Sequence, residues 1–194
     1  MKKYELTTES IVKCGRKLFR IKALVSFGDV KKGEIGGFIE KAGNLDQSGN
    51  AWVFGNARVF DNARVFDNAR VSGDASVSDN ARVSGNARVF GNAWVFGNAS
   101  VSGNAQIFKV SHCLVVGPLG SRNDFTTFFR TKHLTIGVKC GCFTGNTDEF
   151  LEAVERTHGD NKHAQAYKAA IALAKIQIDL SKEDSDEKEI GKEN

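Results

Sequence analysis

The chain has 194 residues and a formal net charge of +4, with 41% hydrophobic and 26% charged residues. That balance is ordinary for a soluble protein, and no apolar stretch approaches the roughly 18 residues that a membrane span needs. The charge has the wrong sign for a mimic of nucleic acid, which requires a strongly acidic surface, and it favours an anionic partner only weakly.

In chain order, the first residues carry Lys2 and Lys3 with no apolar run behind them, so no secretory signal is expected and a cytoplasmic location is the default. Cys14, Cys113, Cys140 and Cys142 lack framework spacing and are expected to be reduced thiols. Strand-like stretches from Ile11 to Cys14 and from Lys17 to Phe27 flank Gly15 and Arg16. They predict a β-hairpin, and residues 1–34 read as a cap on the segment C-terminal to them.

From residue 35 a six-residue period takes over. Ten Asn-Ala or Asp-Ala pairs recur without a break between Asn50 and Ala105, and a short fixed period of this kind sets the architecture. In the unit Val53-Phe-Gly-Asn-Ala-Arg58, Ala57 and Val59 point to one side of a short strand while Arg58 and Phe60 point to the other. The Gly-Asn or Asp-Asn pair supplies a corner, because it adopts positive φ at little cost. One hexad cannot bury its Val/Ala row alone, so coils must stack into a continuous core with a cap at each end. Ile35, Lys41 and Gln47 open three weaker entry hexads in the same register.

With three hexads to a coil, residues 18 apart form columns. One outer face then carries Trp52, Phe54, Phe90 and Phe108 with Arg70 and Arg88. A second carries Phe60, Trp94 and Phe96 with Arg58, and a third is polar, with Arg64, Arg82, Ser100 and Ser102. Two aromatic faces on a rigid prism predict association, and a closed homotrimer with parallel axes satisfies both. Rings packed singly against arginine stems are the alternative. Arg70 with Arg88, and Arg64 with Arg82, would lie about 5 Å apart, which is repulsive unless a carboxylate, a ring or an anion intervenes.

The array reads as residues 35–117, ending at Gly117 and Pro118, the only proline. Residues 118–180 read as a small α+β module with two short strands, Phe125 to Arg130 and Leu134 to Cys140. Two helices come next, one capped by Asn146 with Glu149 and ending near Gly159, the other capped by Asp160 or Asn161. Residues 181–194 form an acidic tail expected to be disordered.

The hexads resemble the left-handed parallel β-helix of bacterial hexapeptide-repeat transferases, whose consensus has an aliphatic residue first and a small one fifth. Val59 with Ala63 and Val83 with Ala87 fit that pattern, although Phe or Ser stands where that family often has Gly. The run from Gly33 to Glu40, the hexads after it, Gly120 to Asp124 and Thr157 to Asn161 resemble polymer-forming or transferase-like proteins of bacteriophages and prophages. The resemblance implies a mainly β fold, a left-handed parallel β-helix with an N-terminal hairpin cap and a small α+β C-terminal module. It carries no settled activity; a phage product would work in the host cytoplasm.

Two functional readings compete. In the first, the protein is a non-catalytic trimer that captures an anionic, nucleotide-like small molecule or a host defence protein, without a cofactor. Its ligand residues would be Ser121, Arg122, Asn123, Asp124, Thr126, Arg130, Lys132 and His133, a cluster of backbone amides, hydroxyls and forked donors suited to phosphate or carboxylate. The same residues would equally serve a turn that satisfies its own backbone. In the second, the protein is an acyltransferase using acyl coenzyme A, with His112 as general base, as the transferase resemblance implies. No loop interrupts the coils and the array holds no histidine, which weighs against it. Cys140 and Cys142 lack zinc-knuckle spacing, so no metal is expected.

Overall fold

The computed structural model describes residues 2–182. Strands β1 (Tyr4–Lys13) and β2 (Arg16–Ala23) form the antiparallel hairpin, with Cys14 and Gly15 at positive φ in its turn, and β2 pairs with β3 (Ile35–Ile39). Ten two-residue strands come after them, β4 to β13: Trp52–Val53, Arg58–Val59, Arg64–Val65, Arg70–Val71, Ser76–Val77, Arg82–Val83, Arg88–Val89, Trp94–Val95, Ser100–Val101 and Gln106–Ile107. Between successive strands lies a corner in which the alanine N–H returns to the residue before the Gly or Asp, as from Ala63 to the Phe60 carbonyl at 3.2 Å.

The strands stack in parallel at an interval of 18 residues. Val53 lies beside Val71, Val71 beside Val89 and Val89 beside Ile107, with matching columns through Val59 and Val65. The result is a β-solenoid of about four turns. Every Val and Ala of these columns is buried, and each Val withdrawn from water contributes about 1.5–3 kcal/mol before entropic costs.

The entry coil is offset from the expected register. Ile39 pairs with Val59 and Leu45 with Val65, so eight positions separate Leu45 from Val53 where six separate Val53 from Val59. Two extra residues between Leu45 and Val53 place Ile39 and Leu45 in the Val columns rather than the Ala columns.

At the far end the chain leaves the solenoid earlier than its composition suggests. Strand β14 (Cys113–Leu119) is already the edge of an antiparallel sheet with β15 (Asp124–Arg130), β16 (Ile136–Cys140) and β17 (Phe143–Asn146). The module therefore begins near Cys113, not at residue 118, because hydrogen bonding to β15 replaces another coil. Helices α1 (Thr147–His158) and α2 (Lys162–Gln177) start at Asn146 and Asn161, whose side chains accept N–H groups of their first turns. Phe128, Val138, Phe150, Val154, Tyr167 and Ile171 form this module's core. It is joined to the solenoid by a hydrogen bond from the Ser100 N–H to Thr127 Oγ1 at 2.9 Å, by one from the Lys132 N–H to the Asn104 carbonyl, and by Phe129, which enters the solenoid core. The predicted tail lies outside the described residues except for Ser181 and Lys182.

Both ends of the coil stack are covered. At the start, Tyr4 Oη donates to the Leu45 carbonyl, Lys3 Nζ donates to the carbonyls of Ser48 and Ala51, and Trp52 packs edge-on against Tyr4 and Phe27. At the finish, Phe108 stacks on Phe90, the His112 ring meets Phe108 edge-on at 4.1 Å, and the Arg130 guanidinium lies 4.8 Å from the Phe108 ring centroid.

Candidate ligand-binding cleft

The aromatic faces are less exposed than the column pattern suggests. Trp52, Phe60, Phe90 and Phe108 are all buried within the chain itself. The hairpin covers Phe60 through Leu18, the N-terminal cap covers Trp52, and the His112–Arg130 layer covers Phe108, which in turn shields Phe90. These four are corrected from exposed contact residues to packing residues. Phe54 is half-buried beneath Arg70, whose guanidinium lies 5.6 Å from its ring. Trp94 and Phe96, 44% and 47% exposed, remain at the surface and stack on each other at 5.1 Å.

The polar cluster does not converge either. Ser121, Arg122, Asn123 and Asp124 occupy the exposed β14–β15 turn, whereas Lys132 and His133 lie in the turn at the other end of β15. A seven-residue strand holds those turns about 20 Å apart. Thr126 is buried, with its hydroxyl donating to Cys140 Sγ. Arg130 is fully buried at the solenoid's end, where Nη2 donates to the Ser181 carbonyl. Alternation along the strand turns Thr126 and Arg130 inward. His112, the alternative base, is also fully buried, and its Nδ1 accepts from the Phe108 N–H at 3.5 Å.

The structure brings a different set together. Between the flank of the last coils and the C-terminal sheet runs a groove of about 450 Å³, lined by Asn80, Arg82, Asn98 and Ser100 on one side and Asp124, Phe125 and Lys139 on the other. It adjoins an apolar compartment of about 370 Å³, where Trp94, Phe96, Val110, Leu114 and Phe125 face each other. Asn98, Ala99 and Phe125 belong to both. The two volumes fall within the range typical of small-molecule sites, about 300–1,000 Å³.

Arginine charges on the three faces of the solenoid are partnered unevenly. Arg70 pairs with Asp29, and Arg58 reaches Asp74 at 4.0 Å. Arg64 and Arg82 stand side by side in parallel register on consecutive coils, and among the described residues neither forms a salt bridge; Arg64 lies 5.9 Å from the Phe66 ring centroid. Across the groove, Lys139 Nζ donates to Thr144 Oγ1 at 3.0 Å.

A ladder of carboxamides ends in the cleft. Asn62 Nδ2 donates to Asn80 Oδ1 at 3.4 Å, and Asn80 Nδ2 donates to Asn98 Oδ1 at 3.2 Å, so the Asn98 amide group ends the column where the two compartments meet. Behind the groove, burial pushes the Tyr167 hydroxyl up to about 12, with Cys140 adding to the effect and Arg122 opposing it. Lys139, Asn98 and Phe125 had no marker in the sequence as ligand residues. Of the groove residues, the sequence pointed to Asp124, through the polar cluster, and to Arg82, through its 18-residue spacing from Arg64, which itself lies outside the lining.

Among the described residues no three His, Cys, Asp or Glu side chains form a group that could hold a metal ion, and no helix is long and apolar enough to cross a membrane. The YdcK β-solenoid repeat family matches residues 57–73, 63–79 and 81–97, all within the regular coils. No curated protein matches the chain.

Proposed function

We propose that this β-helix repeat protein is a non-catalytic, homotrimeric binding protein that captures an anionic, nucleotide-like small molecule in the groove between the solenoid flank and the C-terminal sheet. The supporting observation is Arg82, which lines the groove with Lys139 on the opposite wall, forms no salt bridge among the described residues, and stands in parallel register with Arg64 on the preceding coil. Like charges gathered along one groove repel, and a bound phosphate relieves the repulsion. The flank is a rigid stack of coils, so its donors need little ordering when a ligand arrives.

The trimer belongs to the same reading, with parallel axes and with Trp94 and Phe96 as the exposed aromatics available for contact. The cleft then lies beside the seam between copies. The phage resemblance supplies the setting: capture of a small signal in the host cytoplasm, blunting a host defence by sequestration. Acyl transfer from acyl coenzyme A gains no support from the geometry, because the His112 ring is shut beneath the C-terminal module.

Calorimetry with ATP and pyrophosphate on the wild type, Arg82→Ala and Lys139→Ala tests the reading. Binding weakened at least tenfold by each substitution is expected. Absence of binding to either probe, or binding indifferent to Arg82, overturns it. Light scattering should give a particle of three chains, and a single-chain mass removes the trimer while leaving the groove reading in place.

A further inference from the structure

Resting on the anion reading above, we infer that the cleft is built for a nucleoside phosphate bound along its whole length, with phosphate at Arg82 and Lys139, ribose against Asp124, and base in the compartment of Trp94, Phe96 and Phe125. Asp124 carries the argument. A carboxylate has no place in a site made only for anions, yet it lines the same groove as the two cations. Its Oδ1 accepts the Phe125 N–H at 2.7 Å, and among the described residues no cation pairs with it. Its second oxygen is left to accept from a ligand, and a vicinal diol is the partner that a lone carboxylate beside a phosphate site recognises well.

The apolar compartment is continuous with this groove through Asn98, Ala99 and Phe125. Its platform is fixed in advance, since Trp94 Nε1 donates to Ser78 Oγ at 2.9 Å and the indole stacks on Phe96. Stacking of a base on such rings is worth about 1–3 kcal/mol, whatever the base. At the junction, the Asn98 Oδ1 is already occupied by Asn80, so the carboxamide presents N–H donors to an acceptor on the base or sugar. Phosphate, diol and flat ring succeed one another along the cleft as they do in a nucleotide.

The test compares AMP, ribose 5-phosphate and pyrophosphate by calorimetry and by Trp94 emission, on the wild type, Asp124→Ala, Asn98→Ala, Phe125→Ala and Arg82→Ala. AMP should bind at least tenfold more tightly than ribose 5-phosphate and quench Trp94. Asp124→Ala should weaken AMP about tenfold while strengthening pyrophosphate, a reversal of sign that a purely structural or purely repulsive carboxylate does not produce. Phe125→Ala should erase the advantage of AMP over ribose 5-phosphate; Asn98→Ala, at a surface position safe for folding, should cost AMP severalfold. If AMP and ribose 5-phosphate bind equally with Trp94 unquenched, or if Asp124→Ala strengthens all three, the inference falls and the anion reading stands. If none of the three binds, both fall together.

Discussion

The carboxylate of Asp79 accepts the backbone N–H of Gly97, 2.9 Å away and one coil further along the solenoid. The same bond runs from Asp79 N–H to Asp61 and from Asp61 N–H to Glu40, so each acid satisfies a corner amide that the parallel ladder leaves over. This explains why Asp can replace Gly at three of the positive-φ corners, Asp61, Asp67 and Asp79: Asp79, at φ 57°, accepts backbone strain and gains an intercoil bond. Asp79→Ala should keep the strain and lose the bond, lowering stability by about 1–2 kcal/mol. Asp79→Gly should recover roughly half of that loss. Urea midpoints of the three proteins decide the matter.

Close approach of β3 to the coil beneath it makes Gly37 irreplaceable. A Cβ there would lie 2.5 Å from the Ala57 carbonyl oxygen and 2.7 Å from Val53 Cγ1, and neither neighbour can swing away. Gly37→Ala should cost roughly 2–3 kcal/mol or more. Gly43→Ala, where nothing lies within 4 Å, should stay within about 0.5 kcal/mol of wild type in the same denaturation series.

Lys3 gives the fold a pH signature. Burial pulls its pKa from 10.5 down to about 8, with Asp46 opposing the shift. Between those values the unfolded chain binds more protons than the folded one, so stability should rise as pH increases from about 8 towards 10. Below pH 8 this contribution is flat. Lys3→Met should flatten the rise between pH 8 and 10 in urea titrations, while lowering stability overall because the carbonyls of Ser48 and Ala51 lose their donor.

Arg130 and His112 should behave as packing residues. Arg130→Ala empties the space over Phe108 and should destabilise the chain by about 3 kcal/mol, visible as a lowered melting temperature. The groove ligand's affinity, measured well below that temperature, should remain within a factor of two of wild type. His112→Ala should show the same pattern. A selective loss of binding in either variant, with melting unchanged, would reverse this assignment.

The coils were legible because Val and Ala recur at fixed places with nothing else suited to the interior, and the helix caps Asn146 and Asn161 because their chemistry is local. The entry register was hidden by two inserted residues whose neighbours, Gly43-Asn44 and Gly49-Asn50, imitate ordinary corners. Exposure of the aromatics could not be read from columns alone. What covers Phe60 and Trp52 is the hairpin and N-terminal cap, and what covers Phe108 comes from His112 and Arg130 in later segments. The cleft was hidden for a related reason. Arg82, Asn98, Asp124 and Lys139 come from two folding units whose relative placement no local pattern encodes.

The threefold winding makes chain length a quantised variable. Adding 18 residues among the regular coils lengthens the prism and returns every later side chain to its own face, so Trp94 and the terminal module keep their mutual orientation. Adding six between Ser102 and the terminal module instead rotates that module by about 120° about the long axis relative to Arg82 and Asn98. Lys139 would then look out over a different flank, while both lids still fitted. Growth or shrinkage before Asn80 therefore conserves the cleft in steps of one hexad, whereas between the cleft's coils and the module a step of one hexad takes its two walls apart.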